Sequence, residues 1–189
     1  MKSKYVPLEK VLHEEQGYVL DGIRKFGIEV YGVFHDVPTT TCFEKARILG
    51  WKPERVVKSI YLHKGGDFYG FIFPELGKEK SLILDSREVL PKILGITKSQ
   101  SKKFGSHFFP YGMEKGTCTP FAYKNHLPKR IFLHNFPGID EEFVDISVGG
   151  FGESFHKMSA HIKYGDLYRL LRHTLGDRIE KLDFGFEKV

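Results

Sequence analysis

The 189-residue chain has only two cysteines, Cys42 and Cys118, far apart and without a CxxC partner. That pattern encodes neither a disulfide framework nor a thiolate zinc site, so two free thiols are expected. Long apolar runs are missing as well. No stretch approaches the roughly 18–20 residues that span a bilayer, and Met1 to Lys10 lacks the apolar core of a secretory signal. A cytoplasmic protein with no membrane partner is expected. No period of 20–50 residues repeats and no Ser/Gly- or Pro-rich linker divides the chain, which leaves no sign of a solenoid or a tethered second domain. HExxH, P-loop, GxSxG and GxGxxG motifs are absent, and Gly149-Gly150-Phe151-Gly152 has the wrong spacing for a dinucleotide loop. Zincin and nucleotide-dependent chemistries fall with them.

What is present describes a globular chain. Hydrophobic residues make up 41% and charged residues 28%, far from the balance of a disordered segment. The length suits one domain with a self-sufficient core, so no metal or disulfide staple is required. Lys and Arg number 29 against 24 Asp and Glu, a formal charge of +5 that suits a polyanionic partner. No two of the nine histidines sit at i, i+4 around an acid, and no metal is expected.

Local signals place the elements. Thr41-Cys42-Phe43-Glu44 is a capping box and Gly50 a C-terminal stop, which predicts a helix over 42–49. The β-rich run Val56 to Leu62, the Lys64-Gly65-Gly66-Asp67 turn and Phe68 to Phe73 read as a hairpin. Further strands are expected at 81–84, 129–134, 143–148 and 153–158. Capping boxes at Asp85 to Glu88 and Thr97 to Gln100 open two short helices, and a leucine stripe predicts another over 166–175. The terminal residues 178–186 alternate like a strand. Strands outnumber helices, so the expectation is an α+β fold: one curved, mainly antiparallel mixed sheet, barrel-like, flanked by short helices. A compositional seam near Gly32 sets residues 1–30 apart as a helical appendage and leaves 31–189 as the main domain.

Two features point to chemistry. The period of two puts Lys58 on one face with Val56, Ile60 and Leu62, where a lysine either snorkels to solvent or serves a site. Gly112 to Pro120 holds two glycines, two threonines and a proline. It reads either as a tight turn or as a loop whose amides face an anion or a polarised carbonyl. Cys118 within it becomes a nucleophile only if a histidine such as His107 or His134 lies beside it.

In order, Thr41 opening a helix, Val56-Val57-Lys58-Ser59-Ile60-Tyr61-Leu62, then Gly116-Thr117-Cys118-Thr119-Pro120 resemble the YbaK family of aminoacyl-tRNA deacylases, relatives of the editing domain inserted in bacterial prolyl-tRNA synthetases. Lys58 and Ser59 match the family's lysine-bearing strand, Gly116 to Pro120 its GxxxP loop, and Val148-Gly149-Gly150 its next glycine turn. The likeness covers roughly residues 30–175. His134 stands where the family often has an acid, Ser59 replaces a commoner Thr, and Ala122 a common Gly.

The resemblance implies a hydrolase that removes a small amino acid, alanine or cysteine, from a mischarged tRNA-Pro-like substrate, without a cofactor. It implies a catalytic set of Lys58, Gly116, Thr117, Cys118, Thr119 and Pro120, with Thr41, Ser59, His134, Gly149 and Gly150 binding substrate. Lys98, Lys102, Lys103 and Lys115 are the expected tRNA contacts, and an aminoacyl-tRNA synthetase is a further expected partner. The alternatives are a non-catalytic tRNA-binding or synthetase-accessory module, and a hydrolase of other small aminoacyl esters.

Overall fold

The computed structural model describes residues 3–75, 89–108, 110, 113–150 and 154–184. Among these, nine strands build one sheet. Eight lie side by side in the order β1 (Ser3–Val6), β2 (Val30–His35), β8 (Met158–Lys163), β7 (Phe143–Ser147), β3 (Val56–Lys64), β4 (Asp67–Pro74), β6 (Arg130–His134) and β9 (Ile179–Leu182). The ninth, β5 (Gly105–Phe108), adds to β3. Five of the eight strand pairs are antiparallel, and β3–β7, β4–β6 and β6–β9 are parallel. The expected mixed α+β sheet is found; its path runs open from β1 to β9 and does not close.

One face is mainly apolar. Val57, Ile72, Leu133, Val144, Ile146, Ala160 and Ile162 project from neighbouring strands and meet α1 (Tyr18–Phe26) and α5 (Tyr164–Leu175). Leu167, Leu170, Leu171 and Leu175 form the buried stripe of α5, as their spacing requires. The two helices touch closely at Gly22, where a Cβ would lie 2.6 Å from the Leu170 side chain.

The opposite face is divided. Beneath α3 (Val89–Leu94) lies a second apolar cluster of Leu62, Phe71, Phe73, Leu90, Phe132 and Phe184. Beneath α2 (Cys42–Leu49) the buried side chains include Lys45, Asp145, Ser159 and His161.

The local signals located much of this. The Thr41 and Thr97 capping boxes both form, opening α2 and α4 (Lys98–Ser101). Both ends of α2 are where the sequence puts them. The strand expected at 153–158 is corrected: Phe155–Lys157 is a 3-10 turn and the strand begins at Met158. Residues 1–30, expected as a helical appendage, do hold α1 and two 3-10 turns, but they start with β1, paired to β2, and Leu8, Val11, Val19 and Ile28 belong to the main core. Burial of those four residues ties the segment to the sheet. The strand expected at 81–84 and the capping box at 85–88 lie outside the described residues.

Candidate functional site

The sheet splits at Lys58. One edge of β3 is continuous with β4, but the other pairs with β7 only through Val56 and Val57, and with β5 only from Tyr61 onward. Among the described residues, therefore, neither strand pairs with Lys58, Ser59 or Ile60. A break of this kind leaves room for loops to enter a sheet and for side chains to converge there.

Lys58 follows Val57 as Ser147 follows Ile146 in the parallel register, so both point to the face that carries α2. The Lys58 ammonium is ion-paired with the Glu75 carboxylate, which is 1% exposed against 25% for the lysine. Glu75 is itself fixed where its amide donates to the Val56 carbonyl at 2.8 Å. Lys58 is thus neither a snorkelling surface lysine nor a lone buried charge; it is half-buried and held.

Two loops reach the same place. The Ser147 hydroxyl donates to the Gly116 carbonyl at 3.2 Å, and the Thr117 hydroxyl lies 2.7 Å from the Gly150 carbonyl. Gly116, Gly149 and Gly150 all have positive φ, at 91°, 86° and 107°. A Cβ on Gly116 would come within 3.2 Å of the His156 ring and 3.3 Å of the Thr40 carbonyl, and one on Gly149 within 2.6 Å of the Tyr123 hydroxyl. The glycines are required by backbone conformation and by close approach together. Within the loop the Thr117 amide donates to the Glu114 carbonyl at 3.0 Å. The amides of Gly116 and Thr119 have no acceptor among the described residues.

Thr41 caps α2, accepting from the Glu44 amide at 3.2 Å, and the preceding Thr39 amide donates to the His156 carbonyl at 2.9 Å. Sequence reasoning missed His156. Its Nε2 lies 3.2 Å from a Glu114 carboxylate oxygen, while its Nδ1 is buried against Gly116 with no hydrogen-bond partner among the described residues. A neutral imidazole that donates from Nε2 to Glu114 presents Nδ1 as an acceptor. No local spacing links residues 114 and 156, so only the fold joins them.

Next to this site, under α2, the Asp145 carboxylate is fully buried with Lys45 Nζ at 3.2 Å and His161 Nε2 at 3.1 Å. Burial by itself would raise the Asp145 carboxyl, but Lys45, His161 and Ser159 outweigh it and hold it down at about 2. The Cys42 thiol, in the first turn of α2, is pushed up to about 12 by burial against the opposing pull of Lys58 and Lys45.

Other expected residues stand apart. Ser59 faces the apolar side, opposite Lys58, and its buried hydroxyl has no partner among the described residues. His134 lies two strands away, where its Nδ1 accepts from the Phe184 amide at 3.2 Å and burial lowers its pKa. Cys118 packs near Tyr61, Met113 and Tyr123 with its thiol raised to about 12 by burial, so it is protonated at neutral pH. The side chain of His107 lies outside the described residues. Pro120 is buried at the loop's exit. Lys115 is exposed on the loop, whereas Lys98, Lys102 and Lys103 lie by α4. Phe104, just beyond them, meets Lys64, six residues and about 20 Å along β3 from Lys58.

No family model matches the chain, and no curated protein matches it by sequence. Solved structures do match. A candidate trans-editing enzyme for prolyl tRNA synthetase superposes with a TM-score of 0.59 at 15% identity, covering 91% of this chain and 97% of the other. A hypothetical protein gives 0.57 at 17% identity, covering 87% and 97%. A scaffold protein from the computational grafting of linear epitopes gives 0.56 at 15%, covering 94% and 100%. The chain therefore shares the fold of a candidate editing enzyme over most of both lengths. Among the described residues no helix is long and apolar enough to cross a membrane.

Proposed function

We propose that the chain is an aminoacyl-tRNA deacylase acting in trans, which hydrolyses the ester of a mischarged tRNA carrying a small amino acid, with alanine or cysteine on a tRNA-Pro-like substrate as the leading case. The observation that carries this reading is the convergence, at the split in the sheet, of a held lysine, a glycine loop with uncommitted amides and a carboxylate-paired histidine. The shared fold with a candidate trans-editing enzyme supports it.

The chemistry is ester hydrolysis. Water attacks the acyl carbonyl carbon and gives its proton to His156 Nδ1, while the carbonyl oxygen takes negative charge and is met by the amide of Thr119. Collapse of the tetrahedral intermediate breaks the bond to the ribose oxygen, which takes the proton back from His156, leaving free amino acid and tRNA. Lys58, kept in place by Glu75, sets a positive charge against the terminal nucleotide. One oxyanion donor is worth about 2.7–4 kcal/mol of barrier. One methylene changes pocket affinity by only about 1–3 kcal/mol, which is why a small amino acid calls for a second sieve. Lys115 is the tRNA contact nearest this chemistry in sequence; Lys98, Lys102 and Lys103 would meet a more distant part of the tRNA.

The test is a panel of tRNAs charged with alanine, cysteine, serine and proline, incubated with wild type, Lys58→Ala and His156→Ala. Selective release of one residue by wild type, reduced about a hundredfold or more in each variant, is expected. Binding without release from any member would sink the deacylase reading in favour of an accessory module. Cleavage of free aminoacyl esters indifferent to tRNA would favour a general esterase.

A further inference from the structure

The run that leaves the glycine loop is held by side chains from elsewhere. The carbonyls of Thr119, Phe121 and Ala122 each accept a hydrogen bond: from the Tyr61 hydroxyl at 2.6 Å, the Gln16 amide nitrogen at 2.6 Å, and the Tyr18 hydroxyl. Two of these three donors come from the N-terminal segment.

That segment arrives already set. The 3-10 turn Glu14–Gln16 is capped in both directions: the Glu15 amide donates to His13 Nδ1 at 3.2 Å and the His13 amide to Gln16 Oε1 at 3.0 Å. Gln16 is fully buried and uses both ends of its amide, one to fix its own turn and one to grip Phe121. Beside it the His13 ring packs edge-on against Tyr123 at 4.9 Å, and the Glu15 carbonyl accepts from the Lys124 amide at 3.2 Å. Tyr123 in turn lies against Gly149, in the second glycine turn of the site. Val11 and Val19, on either side, anchor the segment in the main core.

We infer that His13 to Tyr18 is a positioning element for the site, with Gln16 and Tyr18 its principal groups, an inference that rests on the deacylase reading. Amides stabilise a developing oxyanion only if they are already aimed when charge appears, and past Thr117 the carbonyls of this run are held from outside the loop. Gln16 and Tyr18 touch no reacting atom; they act through the backbone of Phe121 and Ala122, just past Pro120.

The experiment compares wild type, Tyr18→Phe, Gln16→Ala and, as a control, Tyr31→Phe, whose hydroxyl bonds only the exposed Glu29. Steady-state release from the preferred charged tRNA and thermal unfolding are measured for each, together with amide hydrogen exchange over residues 114–123. Tyr18→Phe, which loses one oxygen, is expected to keep its Tm and KM while kcat falls about tenfold. Exchange over 114–123 should quicken in both segment variants and not in the control. Unchanged kcat in Tyr18→Phe, or a loss confined to Gln16→Ala and matched by a lowered Tm, would overturn the inference by making the segment a core element alone. If wild type releases nothing, the deacylase reading fails, and unchanged exchange over 114–123 in both variants would then overturn the brace separately.

Discussion

The two faces of the sheet are built from the same strands but carry opposite chemistry. Under α1 and α5 the cover is mainly aliphatic, with Leu167, Leu170 and Ile162 at 0% exposure. Under α2 the same strands β7 and β8 bury Asp145 and His161, and α2 answers with Lys45. The contrast shows where stability and chemistry are separated. An aliphatic face gains from every buried methylene, whereas a face with buried charges holds only if each charge keeps its partner. The charged half adjoins Lys58 and Glu75, so the site is supported by the region that is most sensitive to the loss of a single group.

Asp145→Ala tests this most severely. It leaves the Lys45 ammonium and His161 without their carboxylate and is expected to cost about 3–5 kcal/mol in denaturant unfolding, while Lys45→Met combined with Asp145→Leu recovers the part due to the unpaired lysine. A cost under about 1 kcal/mol would mean that the two faces do not differ in this way. Leu170→Ala on the aliphatic face should cost about 2–5 kcal/mol through a cavity, with release per folded molecule unchanged. Lost turnover in that variant, at temperatures where it remains folded, would show that the faces are coupled.

Acid sharpens the comparison. Burial pushes His35 down to about 4 from its ordinary 6.5, so between those values the unfolded chain binds a proton that the folded chain does not. Stability is therefore expected to fall as pH drops from about 6.5 towards 4, and His35→Gln should flatten that slope in Tm measured against pH. Below it, Asp145 continues the loss as pH falls from 3.8 towards about 2. A slope in this window that His35→Gln leaves intact would assign the acid response to other groups. The smallest effect belongs to Thr41→Ala, where an exposed helix cap is expected to cost about 1 kcal/mol. A fall in hydrolysis far beyond that loss would give Thr41 a contact with substrate in addition to its cap.

The sequence by itself determined what depends on neighbours a few residues apart. The caps of α2 and α4, the hairpin of β3 and β4, the leucine stripe of α5 and the face on which Lys58 lies all follow from capping geometry and from periods of two and 3.6. The glycine loop was visible for the same reason, because positive φ and close approach select glycine locally. Only the tertiary structure decided which distant groups meet. It gave Lys58 the Glu75 carboxylate, set His156 against Gly116, placed His134 against Phe184 and brought Gln16 to the exit of the loop. Those contacts depend on strand order and register across the sheet, and no local spacing in the chain encodes either.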